Sequence, residues 1–308
     1  MGYDIIGDIH GHADKLEALL KRMGYAAKGR GYVAPLGRQA VFVGDFIDRG
    51  PKQLRVLEIV RAMIDSADAL AVMGNHEFNA IGFVTEDGKG GYLRPNSEDK
   101  RAQHAEFLAA VGEGSATHKA WVDWFRTLPL VLDLDGIRVA HAWWDNDAVA
   151  AINGVYWDGS SRVMSESFLR DSYVKNSSIC LARKILTCGI EWDLPEGLYI
   201  EDSSGHRHGD ARLAVWRHWA LGLRELALVP RGTEEMIPDI DVPRHIKLEP
   251  IEGSPILFGH HWFNGTPVIE TPKVACLDWS AAKTGCPLVA YRWNGESVLT
   301  NDVFLAAG

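Results

Sequence analysis

Three short polar peptides decide the fold of this chain: GDIHG at residues 7–11, GDFIDRG at residues 44–50 and GNHE at residues 74–77. Each peptide directly follows an apolar run that is typical of a buried strand. Apolar residues at helical spacing follow the first two peptides, at Leu16, Leu19, Leu20 and Met23 and at Leu54, Leu57 and Met63. These repeated units predict an α/β fold in which the peptides lie at the carboxyl ends of strands, where open α/β sheets bind ligands.

The side chains in these peptides are of the types that bind divalent metal ions. Carboxylate oxygen and imidazole nitrogen suit borderline divalent metals, and an Asn carbonyl is a neutral oxygen ligand. Asp8 and His10 are two residues apart, so both side chains leave the same face of an extended chain. Asp45 ends the next strand, where its carboxylate can bridge two ions, and Asn75 ends the third. The sequence therefore predicts a metal site along one edge of the sheet.

The three peptides resemble the motifs GDxHG, GDxxDRG and GNHE of the calcineurin-like metallophosphoesterases. The resemblance is to the branch that includes phosphoprotein phosphatases and bacterial diadenosine tetraphosphate hydrolases, and all three motifs match without substitution. It implies a four-layer α/β/β/α sandwich with mixed sheets, formed as a single domain by residues 1–308. A segment of about residues 143–252 is longer than one connection of the core needs, and we expect this insertion to shape the substrate pocket.

The resemblance also implies a role for each motif residue and two divalent metal ions, which would be Mn, Fe or Zn. Asp45 would bridge the two ions, and a hydroxide between them would be the nucleophile. His76 would be the general acid that protonates the leaving oxygen, and Asp48 would orient it. Arg49 and Asn75 would hold phosphate oxygens, and the guanidinium of Arg49 suits bidentate recognition of phosphate. The implied metal ligands are Asp8, His10, Asp45, Asn75, His141 and His260.

The two late histidines also have support from local patterns. Two apolar runs around Asp135-Gly136 predict a hairpin with a type I′ turn, which places His141 just past a strand end. Another predicted strand ends at the adjacent pair His260 and His261. Adjacent side chains of an extended chain point in opposite directions, so only one of the pair can easily reach a metal. The Gly-His context of the family favours His260, and His261 is the alternative.

Substrate contacts outside the motifs are harder to locate. Bacterial members of the branch often place an Arg after a Trp in the inserted segment, which favours Arg217 as a second phosphate-binding residue, with Arg212 as the alternative. The loop after the third motif offers three further candidates, although exposed loop residues are more commonly free in solvent: Tyr92, Arg94 and Lys100. His104 lies in a helical, solvent-like context, and no role is predicted for it.

Composition excludes several classes of protein. No long uncharged apolar run is present, so no transmembrane helix or membrane partner is expected. The net charge of −9 argues against a sequence-independent nucleic-acid surface, which needs clustered Lys and Arg. The four cysteines show no C-x-x-C pattern and are expected to be reduced thiols. Because the first strand starts almost at Met1, no signal peptide is expected and the protein is predicted to be cytoplasmic.

Among the possible activities, we expect hydrolysis of phosphomonoesters, as in serine/threonine protein phosphatases, with a phosphoprotein or a small phosphoester as the substrate. Glu77 gives the third motif its GNHE form, which is closer to the phosphoprotein phosphatases, and the acidic chain shows no basic track for a polyphosphate. The alternative is a hydrolase of dinucleoside polyphosphates. An inactive binding module is disfavoured because Asp8, Asp45, Asn75 and His76 are all present.

Overall fold

Helices and strands alternate early in the chain, and short strands dominate its second half. The computed structural model describes residues 1–201, 207–229 and 233–308. The helices are α1 (Ala13–Arg22), α2 (Gln53–Asp65), α3 (Asn75–Val84), α4 (Glu98–Gln103), α5 (Ala105–Val111), α6 (Ala116–Phe125), α7 (Asn146–Ile152), α8 (Glu166–Asp171), α9 (Ser178–Cys188) and α10 (Leu223–Leu226). The strands are β1 (Gly2–Ile6), β2 (Ala26–Lys28), β3 (Gly31–Val33), β4 (Arg38–Phe42), β5 (Ala69–Ala71), β6 (Val131–Leu134), β7 (Ile137–Ala140), β8 (Ile190–Asp193), β9 (Ile200–Glu201), β10 (Arg207–His208), β11 (Asp210–Leu213), β12 (Ala227–Leu228), β13 (Ile256–Phe258), β14 (Val274–Cys276), β15 (Leu288–Trp293) and β16 (Phe304–Ala307).

The larger sheet has five strands in the order β16-β15-β1-β4-β5. Strands β1, β4 and β5 are parallel, with Ile5 opposite Val41 and Val41 opposite Leu70. Strands β15 and β16 complete the sheet in antiparallel pairs, which makes it mixed. Because the three parallel strands point the same way, the three motif peptides that follow them meet at one edge of the sheet.

The second sheet has four strands in the order β14-β13-β7-β6. Strands β6 and β7 form the predicted antiparallel hairpin, whereas β7, β13 and β14 are parallel. His141 follows β7 and His260 follows β13, so both late histidines leave the same edge of this sheet.

The two sheets pack face to face through a buried apolar cluster that includes Ile5 and Val41 from one sheet and Val139 and Leu257 from the other. Helices α1 and α2 cover the outer face of the five-stranded sheet. The inserted segment covers the outer face of the four-stranded sheet, where Trp216 packs on Phe258 with ring centroids 4.8 Å apart. This arrangement confirms the predicted α/β sandwich with mixed sheets. Three short strands in the order β12-β11-β8 contribute to the last layer beside helical residues.

The structure also bears on two expectations from composition. In the part of the chain that it describes, no helix is both long and apolar enough to span a bilayer. The four cysteines are free thiols: Cys180, Cys188, Cys276 and Cys286.

Candidate metal centre and active site

The carboxylate of Asp45 lies at the centre of a group of imidazoles. Its Oδ2 atom is 3.4 Å from Nε2 of His141, 3.5 Å from Nε2 of His10 and 3.9 Å from Nε2 of His76. Burial raises the pKa of Asp45, but the charges of His141 and His76 outweigh burial and hold the pKa well below its usual range. Asp45 is therefore an anion with nitrogen ligands on several sides, which is the position that a bridging carboxylate requires.

Within the described residues, two groups of side chains could each hold a cation, and Asp45 belongs to both. The first group is His10, Asp45 and His76, and the second is Asp45, His141 and His260. In each group the candidate ligand atoms lie within 4.8 Å of one another. Oδ1 of Asn75 lies beside the second group, 3.0 Å from Nε2 of His141 and 3.1 Å from Nδ1 of His260.

Several of the predicted ligand atoms are buried without a hydrogen-bond partner in the described ranges, namely Oδ1 of Asp8, Nε2 of His10 and Nε2 of His260. Burial of unpaired polar atoms costs free energy, which a bound cation would offset. Burial also lowers the pKa of His10 to about 3 and the pKa of His260 well below its usual value. Both rings are thus neutral, as a metal ligand must be. These oxygen and nitrogen donors fit Mn, Fe or Zn.

A further buried acid, Asp278, lies close to this centre and was not predicted. Burial and then the charge of Asp278 raise the pKa of Asp8 well above its usual range. Asp278 also accepts hydrogen bonds from the backbone N–H groups of Trp262, at 2.7 Å, and Ser280, at 3.0 Å. The sequence signal was available, because Asp278 follows the apolar run of β14 as Asp8 follows that of β1. Such crowding of carboxylates favours the binding of cations.

The backbone of the site adopts left-handed conformations that non-glycine residues rarely adopt. Six of the ten non-glycine residues with positive φ in the described ranges lie in or beside the motifs: His10, Asp45, Asp48, Arg49, His260 and Trp262. Such conformations cost of order 1–3 kcal/mol each and cluster at functional sites. Close packing also requires glycine at two positions. A Cβ atom at Gly259 would collide with Oδ1 of Asp8, and one at Gly74 would collide with Oδ1 of Asp45.

Glu77 holds these strained peptides together. Its carboxylate accepts hydrogen bonds from the backbone N–H groups of Phe46 (2.8 Å), Asp45 (2.9 Å) and Gly74 (3.0 Å). The side chain is fully buried, and burial raises its pKa to about 7. Glu77 thus connects the second and third motifs and does not face a substrate. The GNHE form of the motif therefore gives no physical reason to expect a monoester substrate.

His76 and Asp48 are paired, as the resemblance implied. Nδ1 of His76 is 2.5 Å from Oδ2 of Asp48. Burial lowers the pKa of His76, but Asp45 and Asp48 outweigh burial and raise it above its usual value. The other oxygen of Asp48 is 2.7 Å from Nδ1 of His104, a buried residue for which no role was predicted.

A cavity of about 510 Å³ opens beside His76 and Asn75. Its lining includes three arginines, Arg49, Arg94 and Arg212. The guanidinium of Arg49 lies 4.2 Å from the centre of the Trp262 ring, which is within the range of a cation–π contact. Arg212 comes from the inserted segment, and its Nη1 donates a hydrogen bond to the carbonyl oxygen of His260 at 3.1 Å.

The structure does not bring Arg217 to this cavity. Its Nη1 donates to the carbonyl oxygen of Glu225 at 3.0 Å, and its Nη2 lies 3.5 Å from Oε2 of Glu270. Glu270 also accepts a hydrogen bond from the indole of Trp216 at 2.8 Å. Arg212, the alternative from the sequence, lines the cavity.

Comparison with known proteins agrees with this geometry. Residues 1–177 match the calcineurin-like phosphoesterase family, and this match covers more than half of the chain. The chain belongs to the calcineurin-like phosphoesterases. The predicted family is confirmed, and so, at the level of the family, is the prediction of a phosphoesterase.

Individual relatives match this phosphoesterase over shorter stretches. A bis(5'-nucleosyl)-tetraphosphatase PrpE (asymmetrical) of Oceanobacillus iheyensis is 34% identical over 144 residues, which cover 46% of this chain and 56% of that protein. A protein of the same name from Halalkalibacterium halodurans is 46% identical over 76 residues, which cover 25% of this chain and 31% of that protein. The chain thus spans about half, or less, of the length of the curated relatives it matches.

A solved structure of a protein serine/threonine phosphatase from Saccharomyces cerevisiae is also similar. It aligns with 100% of this chain and 79% of its own, at 14% sequence identity and a TM-score of 0.49.

The adjacent late histidines of this phosphoesterase face different surroundings. His260 lies with Asp45 and His141, whereas Nε2 of His261 lies 3.0 Å from the carbonyl oxygen of Ala142. The ring of His261 also packs against aromatic residues below the second sheet.

We therefore predict that His260→Ala lowers the metal content of the purified protein, whereas His261→Ala keeps it close to that of the wild type. The reason is that, of these two histidines, His260 belongs to a group of candidate ligands in the described residues, whereas Nε2 of His261 lies at the carbonyl oxygen of Ala142. Elemental analysis of both variants after identical loading measures the effect, and His261→Ala is the matched control. A greater loss of metal in His261→Ala would assign the ligand to His261 instead.

Proposed function

We propose that the chain hydrolyses the phosphoanhydride chain of dinucleoside polyphosphates. Two divalent metal ions would be held by Asp8, His10, Asp45, Asn75, His141 and His260. The observation that carries this proposal is the set of three arginines around one cavity beside His76 and Asn75. The names of the two bacterial tetraphosphatase relatives support the same substrate class.

Charge balance favours a polyphosphate over a monoester. A tetraphosphate chain carries more negative charge than one phosphate group, and each charge needs a partner at a desolvated site. Arg49, Arg94 and Arg212 provide three guanidinium groups, each able to form paired hydrogen bonds to phosphate oxygens. The net charge of −9 does not oppose this, because the three arginines are concentrated at the site. The absence of a basic track in the sequence was therefore not evidence for a monoester.

The chain's own residues supply positioning and proton transfer. Bound metal ions would acidify a water molecule and neutralise the charge that develops at phosphorus. Asp48 holds the ring of His76 through Nδ1, so that Nε2 lies on the Asp45 side of the ring, 3.9 Å from Oδ2 of that carboxylate. His76 would give its proton to the leaving oxygen, and the inserted segment would shape the pocket through His208 and Arg212.

Phosphomonoesters are the second candidate substrate, and the pairing of His76 with Asp48 favours them. An alkoxide leaving group, as in phosphoserine, is strongly basic and depends on an acid to protonate it. A leaving phosphate oxygen from an anhydride is much less basic and needs less help.

A direct comparison of kcat/KM tests the proposal. Diadenosine tetraphosphate and a phosphoserine peptide are assayed with the same Mn²⁺-loaded protein. We expect the dinucleotide to be preferred by ~100-fold or more, which corresponds to roughly 2.7 kcal/mol of transition-state stabilisation. Equal values, or a preference for the peptide, would favour the monoesterase.

Arg212 and Arg217, both in the inserted segment, provide a matched pair for this assay. Arg212→Ala should raise KM for diadenosine tetraphosphate about 10-fold or more, as expected for a lost charge-assisted contact of about 1.4 kcal/mol. Arg217→Ala should change it by less than about 2-fold, because Arg217 pairs with Glu270 outside the cavity. Metal content is measured for both, since Arg212 also contacts the carbonyl of His260.

A further inference from the structure

The carboxylate of Asp48 bridges two imidazoles. Oδ2 lies against Nδ1 of His76, and Oδ1 lies 2.7 Å from Nδ1 of His104. His104 is far from the motif in sequence, between α4 and α5, and its side chain is only 6% exposed. The chain therefore places three titratable side chains in one line, which runs along the cavity to the candidate metal centre.

The charge of Asp48 fixes the direction of both hydrogen bonds. Burial raises the pKa of Asp48, but the hydrogen bonds from His104 and His76 outweigh burial and lower the pKa to about 2. An ionised carboxylate can only accept hydrogen bonds, so both imidazoles must donate through Nδ1. His76 is thereby left with Nε2 as its functional nitrogen.

The ring of His104 is itself packed against aromatic neighbours. It lies between Phe83 and Phe107, with centroid distances of 5.5 Å and 5.0 Å. The terminal torsion of an Asp side chain has a broad distribution of angles. A hydrogen bond to one oxygen alone would therefore restrain the Asp48 carboxylate only in part. A second donor, on a packed ring, restrains its rotation further.

Nε2 of His104 is buried, and no residue in the described ranges forms a hydrogen bond with it. A phenylalanine would fill this aromatic site without the cost of burying an unpaired nitrogen. What histidine offers at this position, and phenylalanine does not, is the hydrogen bond from Nδ1 to Asp48.

We propose that His104 is a positioning residue for His76, which acts by holding the carboxylate of Asp48 in the orientation that aligns the His76 ring with the leaving oxygen. This inference deepens the proposed function, because it rests on His76 as the proton donor.

Two substitutions separate the hydrogen bond from the packing. His104→Phe removes the donor but retains a ring between Phe83 and Phe107. His104→Asn loses the ring but keeps an N–H donor close to the position of Nδ1. We expect both variants to retain the metal content of the wild type, because His104 belongs to neither group of candidate ligands.

Phenyl phosphate and p-nitrophenyl phosphate provide poor and activated leaving groups for the assay. His104→Phe should lower kcat about 10-fold for phenyl phosphate and less than about 3-fold for p-nitrophenyl phosphate, because only the former depends strongly on proton donation. His104→Asn should recover most of the loss. In a His76→Ala background, His104→Phe should have no further effect, as a double-mutant cycle requires if one residue acts through the other. Equal losses for both substrates, or an additional loss without His76, would overturn the proposal.

A measurement without turnover tests the same contact. In the Zn²⁺-loaded protein, the Nδ1–H proton of His76 should give a low-field NMR resonance because it is hydrogen-bonded to Asp48. His104→Phe should broaden or shift that resonance, and His104→Asn should preserve it. An unchanged resonance in His104→Phe would contradict the positioning role. Neither experiment uses a dinucleotide, so failure of the dinucleotide assay would leave their outcome intact.

Discussion

Asp45→Asn is expected to abolish measurable turnover and to lower the metal content of both candidate sites. Asp45 is the one residue common to both ligand groups, and its Oδ2 atom lies within 3.9 Å of three imidazole nitrogens. An amide has nearly the same shape but no charge, so it cannot act as an anionic ligand to two cations at once. Metal titration followed by elemental analysis gives the occupancy, and kcat with p-nitrophenyl phosphate gives the activity.

Asp14→Asn is a suitable control for this experiment. Asp14 lies on α1, close to the first motif in sequence, but its side chain is 79% exposed and pairs with Lys52. We expect this control to keep both metal ions and full activity, and thermal unfolding should show that both variants are folded. Two tightly bound ions in Asp45→Asn would contradict a bridging role for Asp45.

The part of the site that could be predicted from the sequence lies directly at strand ends. Strand β1 ends at Ile6, one glycine before Asp8, and β7 ends directly before His141. Parallel strands carry such residues to one edge of a sheet, so local periodicity and strand direction are enough to bring them together. For this reason the residues of the early motifs and the late histidines lie near each other as expected.

The part that could not be predicted depends on contacts between distant segments. His104 contacts Asp48 across 56 residues of sequence, and nothing in its own helical context distinguishes it from an exposed residue. Arg212 and Arg217 both belong to the inserted segment, and contacts with distant residues separate them, since Arg212 donates to the carbonyl oxygen of His260 and Arg217 pairs with Glu270. Local patterns carry no information about such partners, because tertiary packing decides them.

The turn type of the β6–β7 hairpin could not be predicted from the sequence either. The hairpin of β6 and β7 forms around residues 135–136 as predicted, but only Gly136 has a positive φ there. A type I′ turn requires positive φ at both central residues, so the turn type expected for Asp-Gly was wrong. The hydrophobic alternation of the two strands, and not the turn type, was therefore the reliable signal.

His76→Ala is expected to retain both metal ions but to lose ~10²–10⁴-fold in kcat for esters with alkoxide-like leaving groups, which is the usual contribution of a general acid. The variant leaves the second ligand group of Asp45, His141 and His260 unchanged. In the first group, Nε2 of His76 lies farther from Oδ2 of Asp45, at 3.9 Å, than Nε2 of His10 does, at 3.5 Å. Metal content and kcat, measured on the same preparations with phenyl phosphate and p-nitrophenyl phosphate, separate binding from chemistry.

The loss of kcat in His76→Ala should increase with the basicity of the leaving oxygen. Activated aryl phosphates and diadenosine tetraphosphate need less protonation, so they should lose less activity than phenyl phosphate or a phosphoserine peptide. Asp48→Asn should show the same order with smaller losses, because it weakens the hydrogen bond that orients His76 without removing the ring. Equal losses for all leaving groups would mean that His76 positions the substrate or a metal ligand, and that the proton for the leaving oxygen comes from another source.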